Sequence, residues 1–196
     1  MAFSDNVWWT RKARIQAEKR HLSNSFQSQV LLLWYSFLGV ASAVYYLNFA
    51  GSNSSPEVSG TVWVVFSVLI MSMSGFVSGL TLKQRAGLMK ESYERLNEIY
   101  RKSLIETHDF AELENEYNQV LGLCENHLDR DYYRALCLEH LTAHGRADKK
   151  TGLKGTLDRC PTWYHWGALL IGSSCRGLMF AVLYALPIII FLVLEQ

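Results

Sequence analysis

The densest group of residues able to do chemistry lies in "EYNQVLGLCENHLDRDYYR", where Glu125, His127 and Asp131 stand close together. Carboxylates and an imidazole so arranged are candidates for general acid–base work or metal ligation. On one helix His127 and Asp131 would share a face at i, i+4, and a metal would need a third ligand from elsewhere. The alternative is a polar helix end held by turns and ion pairs. No nucleophile motif accompanies the group, so the chain does not read as an enzyme, and no cofactor is expected.

A second group is basic. In "HGRADKKTGLKGTLDRCP" the lysines Lys149, Lys150 and Lys154 resemble part of a phosphate loop. The pattern G-x-x-x-x-G-K-[ST] fails because position 150 is Lys rather than Gly, and no strand precedes it. The segment reads instead as a juxtamembrane linker near anionic headgroups, with an anionic ligand as the other candidate. Cys124, Cys137, Cys160 and Cys175 show no C-x-x-C spacing, so neither zinc nor a disulfide framework is expected and the thiols read as small buried apolar groups.

Third comes Arg176, set in "SSCRGLMFAVLYALPIIIFLVLEQ". A charge inside a bilayer is costly and marks a functional candidate. Either one long helix starts near Trp163 and Trp166 and carries Arg176 well inside, or the span begins at Arg176 with the guanidinium snorkelling to the headgroups. Phe180 and Tyr184 lie on the same face, so a cation–π contact is also open. Pro187 frees a backbone carbonyl in this span. Ser173, Gly177, Ala181 and Ala185 form a ridge of small residues, which together with Arg176 is a candidate helix contact or pore lining. Gly75 and Gly79 make a G-x-x-x-G pair, and Gly39 with Ala43 its looser form. These four are expected to pack the helical hairpin.

The elements that must position these residues are membrane helices. Hydrophobic residues make up 49% of the 196, and the net charge of +1 gives no global basic field for nucleic acid. Charged residues are absent between His21 and Glu57, from Val58 to Leu82, and from Gly177 to Leu194. A hydrocarbon core of ~30 Å needs ~20 apolar residues as helix, and each stretch supplies about that. Arg11, Lys12, Arg14, Lys19 and Arg20 precede the first span and Lys83, Arg85 and Lys90 follow the second, whereas the loop "GSNSSPEVSG" has no basic residue. The flanks should therefore face the cytoplasm, and a third span would carry the C-terminus outside. Residues 1–28 read as an amphipathic helix, lying either on the membrane or against the cytoplasmic part. Residues 29–82 read as a transmembrane hairpin, 83–159 as a cytoplasmic helical region and 160–196 as a C-terminal membrane segment. The second span should run into "KQRAGLMKESYERLNEIYRK" as one long helix with Met89, Tyr93, Leu96 and Tyr100 on its apolar face. A helix restarts after Asp109 with Phe110, Leu113, Tyr117, Val120 and Cys124 inward, and a further helix falls near 131–144. The expected fold class is an all-α membrane protein.

The lead-in "TRKARIQAEKRH", the span pair, the long helix and "YNQVLGLCENHLDRDYYR" together resemble the SLATT families, the SMODS and SLOG-associating two-transmembrane effectors. The third span is found in only some branches, and the chain is similar to those. Tyr117, Leu121, Glu125, Asn126, His127, Asp131 and Tyr132 are the positions that carry the resemblance. It implies a prokaryotic inner-membrane effector of anti-phage conflict systems, forming homo-oligomeric pores that kill or arrest the infected cell (abortive infection). The implied trigger is a sensor partner (a nucleotidyltransferase, a SLOG protein or a reverse transcriptase) or a nucleotide second messenger. Membrane lipids are the other expected partner, and direct nucleic-acid binding is not expected. The rivals are a membrane anchor recruiting a cytoplasmic partner and a constitutive channel subunit.

Overall fold

The computed structural model describes residues 3–49, 56–105, 109–148, 150–155 and 157–195. Its regular elements are six α-helices: α1 Phe3–Phe49, α2 Pro56–Gly79, α3 Leu82–Ser103, α4 Phe110–Leu121, α5 Asp129–Thr142 and α6 Trp163–Glu195. The all-α fold class is thus borne out. Three of the helical stretches are long and apolar enough to cross a membrane, in α1, in α2 and in α6. The chain is a multi-pass membrane protein.

Two compact units divide it. The first comprises Met1–Ser23 and Leu82–Ser174, and the second Asn24–Thr81 and Cys175–Gln196. In the first unit the early turns of α1 bury Val7, Trp9, Ala13, Arg14, Ala17 and His21. These positions recur at three, four and seven, the spacing of one helix face. Against it α3 turns Ala86, Met89, Ser92, Leu96 and Ile99 inward, and α4 adds Leu113 and Val120. Val7, Leu96, Ile99, Leu113 and Val120 form one apolar cluster, with Phe3, Tyr100 and Tyr117 packed on it. Trp9 is only 2% exposed, so of the two placements open for the N-terminal segment it is the one against the helical part that the contacts support. Lys12 caps the neighbouring Trp8 ring at 4.9 Å.

The second unit holds the rest of α1 and α6 together with α2. Tyr35 stacks on Phe66 with centroids 6.1 Å apart, and Trp63 meets the same ring edge-on at 5.5 Å. Tyr45 and Phe191 make a further edge contact at 5.4 Å. The large apolar side chains of these helices are mostly exposed, Leu33, Met71 and Leu178 among them, as suits surfaces whose solvent is lipid.

One expectation is extended and one needs correction. The amphipathic segment and the first span are one unbroken helix of 47 residues, because no Gly or Pro and no polar turn interrupts the chain between them. The second span and the helix after it are not continuous: α2 ends at Gly79 and α3 begins at Leu82. Leu80 and Thr81 donate to the carbonyls of Val77 and Ser78, three residues back, and Thr81 takes φ +47°. Tightened i→i+3 bonds and a left-handed residue end a helix. A β-branched side chain rarely adopts that conformation.

Candidate functional site

The sequence group around Glu125 proves to be the joint of the first unit. α4 starts at its N-cap Asp109, whose carboxylate accepts from the Ala111 N–H at 3.1 Å, and it ends at Leu121. Residues 122–128 then form the connection to α5. His127 and Asp131 therefore do not share a helix face, contrary to expectation. Asp131 sits in the first turn of α5 and accepts from the Leu128 N–H at 3.1 Å, closing that helix start.

Ion pairs hold the joint. Asp131, 2% exposed, accepts from Arg20 Nε at 3.0 Å and Nη2 at 3.0 Å, a two-pronged contact across from α1. Glu125 accepts from Arg85 of α3, and its carboxylate also stands 2.9 Å from His21 Nε2. That imidazole is out of line for a hydrogen bond, and both its nitrogens lack one. The Arg85 hydrogen bond, opposed by some burial and helped by the charge of Arg85 and by His21 once that ring is protonated, holds the Glu125 carboxyl below the usual range. Burial first, then Arg20, pushes His21 below the ordinary histidine value. The imidazole is accordingly neutral at neutral pH. Asn126 accepts from the His127 N–H at 3.1 Å.

Sequence reasoning missed the residue at the centre. Arg14 is fully buried. Its guanidinium donates to the carbonyls of Val120 at 3.1 Å and Leu121 at 3.2 Å, and to the Ser92 hydroxyl. The last carbonyls of a helix have no partner within it and carry the negative end of its dipole, so Arg14 completes the end of α4. Burial pulls its pKa down, offset by Cys124 and Tyr117. The signal available was period: Arg14 lies seven residues from both Val7 and His21, all on the buried stripe.

Beside this joint is a cavity of about 440 Å3 lined by α1, α4, α5, the α4–α5 connection and the stretch before α6. Tyr117, His127 and Tyr132 of the sequence group all face it, and so does Arg159. Arg159 donates to the Tyr132 hydroxyl at 3.0 Å and to Asn6 Oδ1 at 2.8 Å, and lies 5.7 Å from the Trp9 ring centre. His127 Nδ1 is shut off from solvent without a hydrogen-bond partner. Burial, then Arg14, lowers its pKa, so this ring too is neutral at neutral pH.

The remaining candidates are scattered. Lys149 lies outside the described residues. Lys150 is exposed, its N–H bonded to Asp148 Oδ1, while Lys154 Nζ donates to the His140 carbonyl at 3.2 Å. Cys137 is buried, Cys124 and Cys160 are half-buried, and Cys175 is exposed, against the expectation of burial. Arg176 falls within the unbroken α6, its guanidinium 5.4 Å from the Phe180 ring centre, so the cation–π contact is made. Ser173, Gly177 and Ala181 are exposed and Ala185 is half-buried. Of the hairpin residues, Gly39 abuts Phe66, at 3.4 Å from where a Cβ would stand, and Ala43 is half-buried, whereas Gly75 and Gly79 have no such neighbour within 4 Å.

No group of three or more His, Cys, Asp or Glu side chains is placed to hold a metal among the described residues. The arrangement offers structural ion pairs, one aromatic cavity and three apolar membrane helices. No curated protein and no solved structure matches the chain. Over residues 2–193 it matches the SMODS and SLOG-associating 2TM effector domain family 5. Almost the whole length of the chain is covered, helical joint and membrane helices alike, and this multi-pass protein belongs to that family of membrane effectors of conflict systems.

Proposed function

We propose that the protein is a non-enzymatic effector that oligomerises in the prokaryotic inner membrane and permeabilises it in response to infection. The trigger is a sensor partner or a nucleotide signal, and the outcome is death or arrest of the cell. The observation that carries this reading is the unused packing surface of the membrane helices. Gly75, Gly79 and Gly177 each leave open space where a side chain would stand. Small residues in membrane helices permit close approach of a neighbouring helix. Three spans of one copy cannot enclose a water-filled path, since lipid-facing backbone must remain helical and sealed, so permeation requires several copies around an axis. The basic flanks of the first two spans support an inward-facing N-terminus, and an odd number of spans then carries the C-terminus outside.

The test is leakage of a small dye from liposomes containing the purified protein, alone and with its sensor partner. Leakage that appears only with the partner or its product supports the triggered effector. Inserted, oligomeric protein that never leaks favours the membrane anchor, and leakage without any trigger favours a constitutive channel. An Arg176→Leu variant that permeabilises normally removes Arg176 from the pore.

A further inference from the structure

The cavity of the first unit has a definite chemistry. Phe3, Trp9, Tyr117 and Tyr132 supply aromatic surface to its wall, within a volume of about 440 Å3 that suits a small molecule. These rings are fixed in place. Phe3 meets Tyr117 edge-on at 5.6 Å and Trp9 meets Tyr132 edge-on at 6.0 Å. The Trp9 indole N–H donates to Asp158 at 2.6 Å, and the Tyr117 and Thr10 hydroxyls are 3.0 Å apart. The wall also carries polar groups: the amides of Asn6 and Asn118, and the His127 imidazole.

Charge narrows the ligand. Arg159 is the one cation in the wall, Glu114 is an anion in the same wall, and Asp158 stands 3.4 Å from Arg159 Nε. A polyphosphate would meet no surplus of positive charge here. A flat ring system with polar edges fits, because proteins hold unstacked bases between aromatic faces and read their edges with amides and imidazoles. We propose that this cavity binds a nucleobase moiety carrying at most one phosphate, with the base against the aromatic wall and its edge on Asn118 and His127. Arg159, held by Tyr132 and Asn6, takes the single phosphate where there is one. The lining comes from segments far apart in sequence, so an occupant joins α1 to α4, α5 and the stretch before α6. This deepens the triggered reading given above and rests on it only for what occupancy does to the membrane.

The experiment is equilibrium dialysis of the full chain in detergent micelles against each labelled ribonucleoside, its 5′-monophosphate and its 5′-triphosphate. Saturable binding of one copy of at least one nucleoside or monophosphate is expected, with the triphosphate about tenfold weaker or worse. Asn118→Ala and His127→Phe should each weaken binding about tenfold with the thermal midpoint retained, Asn118 being an exposed rim residue whose loss leaves the fold alone. No saturable binding into the millimolar range by a chain of intact helicity would overturn the inference. So would tightest binding of the triphosphate, or variants that bind as well as the parent. Dye leakage from liposomes reconstituted with the same purified protein separates the two readings. Nucleoside binding with no leakage under either nucleoside or partner sinks the triggered pore and leaves the site standing, and partner-driven leakage without nucleoside binding does the reverse.

Discussion

The hydroxyl of Tyr35 donates to the carbonyl oxygen of Leu183 at 2.8 Å, and Leu183 stands four residues before Pro187, which lies inside α6. Proline has no N–H to offer the carbonyl one turn back. In lipid no water replaces it, so a neighbouring helix must. The next carbonyl, Tyr184, accepts from the Trp34 indole at 3.0 Å. Adjacent residues of α1 thus repair the defect that proline makes in α6.

Removing the repair should show as a conditional cost. Tyr35→Phe is expected to destabilise the second unit by about 1 kcal/mol, the usual worth of an interhelical hydrogen bond in a membrane. In a Pro187→Ala background the restored amide serves Leu183, and the same change should be near neutral. A denaturant titration in mixed micelles of the four variants reads the coupling. Additive costs would show that Tyr35 does not act on the proline defect.

Arg14 poses a different case, a buried charge held by carbonyls. Arg14→Met leaves the end of α4 and the Ser92 hydroxyl unsatisfied and should cost about 3 kcal/mol. Arg14→Lys should not rescue it, because an ammonium on a flexible stem does not reproduce a planar fork. Thermal unfolding, with amide exchange across α4, checks both, and a lysine variant as stable as the parent would contradict the capping role.

The pair of Arg20 and Asp131 is expected to show the asymmetry of buried ion pairs. Asp131→Ala strands a guanidinium whose side chain is 13% exposed, removes the α5 start, and should cost about 3–5 kcal/mol. Arg20→Met together with Asp131→Leu should cost less than the sum of the single changes. A double-mutant cycle on thermal stability decides it.

Acid should loosen the first unit before it titrates carboxylates. His21 and His127 have folded pKa values depressed from 6.5, by burial and by the neighbouring cations Arg20 and Arg85 in one case and Arg14 in the other. Glu125 and Asp131 near His21, and Asp129 and Asp131 near His127, offset this only in part. The unfolded chain then takes up protons that the folded chain refuses. Stability is full above about pH 6.5 and declines as pH falls through that value towards the lower folded pKa. Melting midpoints measured from neutral to mildly acidic pH should fall, and His21→Gln with His127→Gln should flatten the slope.

The glycines separate two kinds of packing. Gly39→Leu drives a side chain into Phe66 and should destabilise the monomer by about 1–3 kcal/mol. Gly75→Leu and Gly177→Leu meet nothing in one copy and should leave the monomer intact while weakening association. Cross-linking in liposomes, beside unfolding in micelles, reads the difference.

Much of this architecture was legible in the sequence, for a physical reason. Apolar stretches without charges admit few structures in lipid, so the three membrane helices followed from composition. Helical period found Met89, Leu96, Leu113 and Val120 inside, but Phe110, expected inward, is exposed, and α3 buries Ser92 and Ile99 where Tyr93 and Tyr100 were expected. The break at Thr81 was not legible. Gly87 was the interruption visible among the good helix formers, yet the break falls before it, and a positive φ at threonine runs against local preference. Nor was the joint around Glu125. Its spacing fits a helix, and only the capping of α5 by Asp131 from within the chain shows why residues 122–128 turn instead. Arg14 looked like one of several basic flanking residues, because a buried guanidinium without a carboxylate has no signature in composition.

The first unit is built from two pieces of chain with the hairpin between them, and the Trp9 indole meets an aspartate 149 residues further on. On a ribosome those partners emerge roughly ten seconds or more apart. The N-terminal piece, with Trp8, Trp9 and its arginines, therefore has no partner while the hairpin is made. A tryptophan-bearing basic helix has one hospitable waiting place in that interval, the headgroup layer. The segment of the first unit that is synthesised first completes its contacts only after the stretch before α6 has been made.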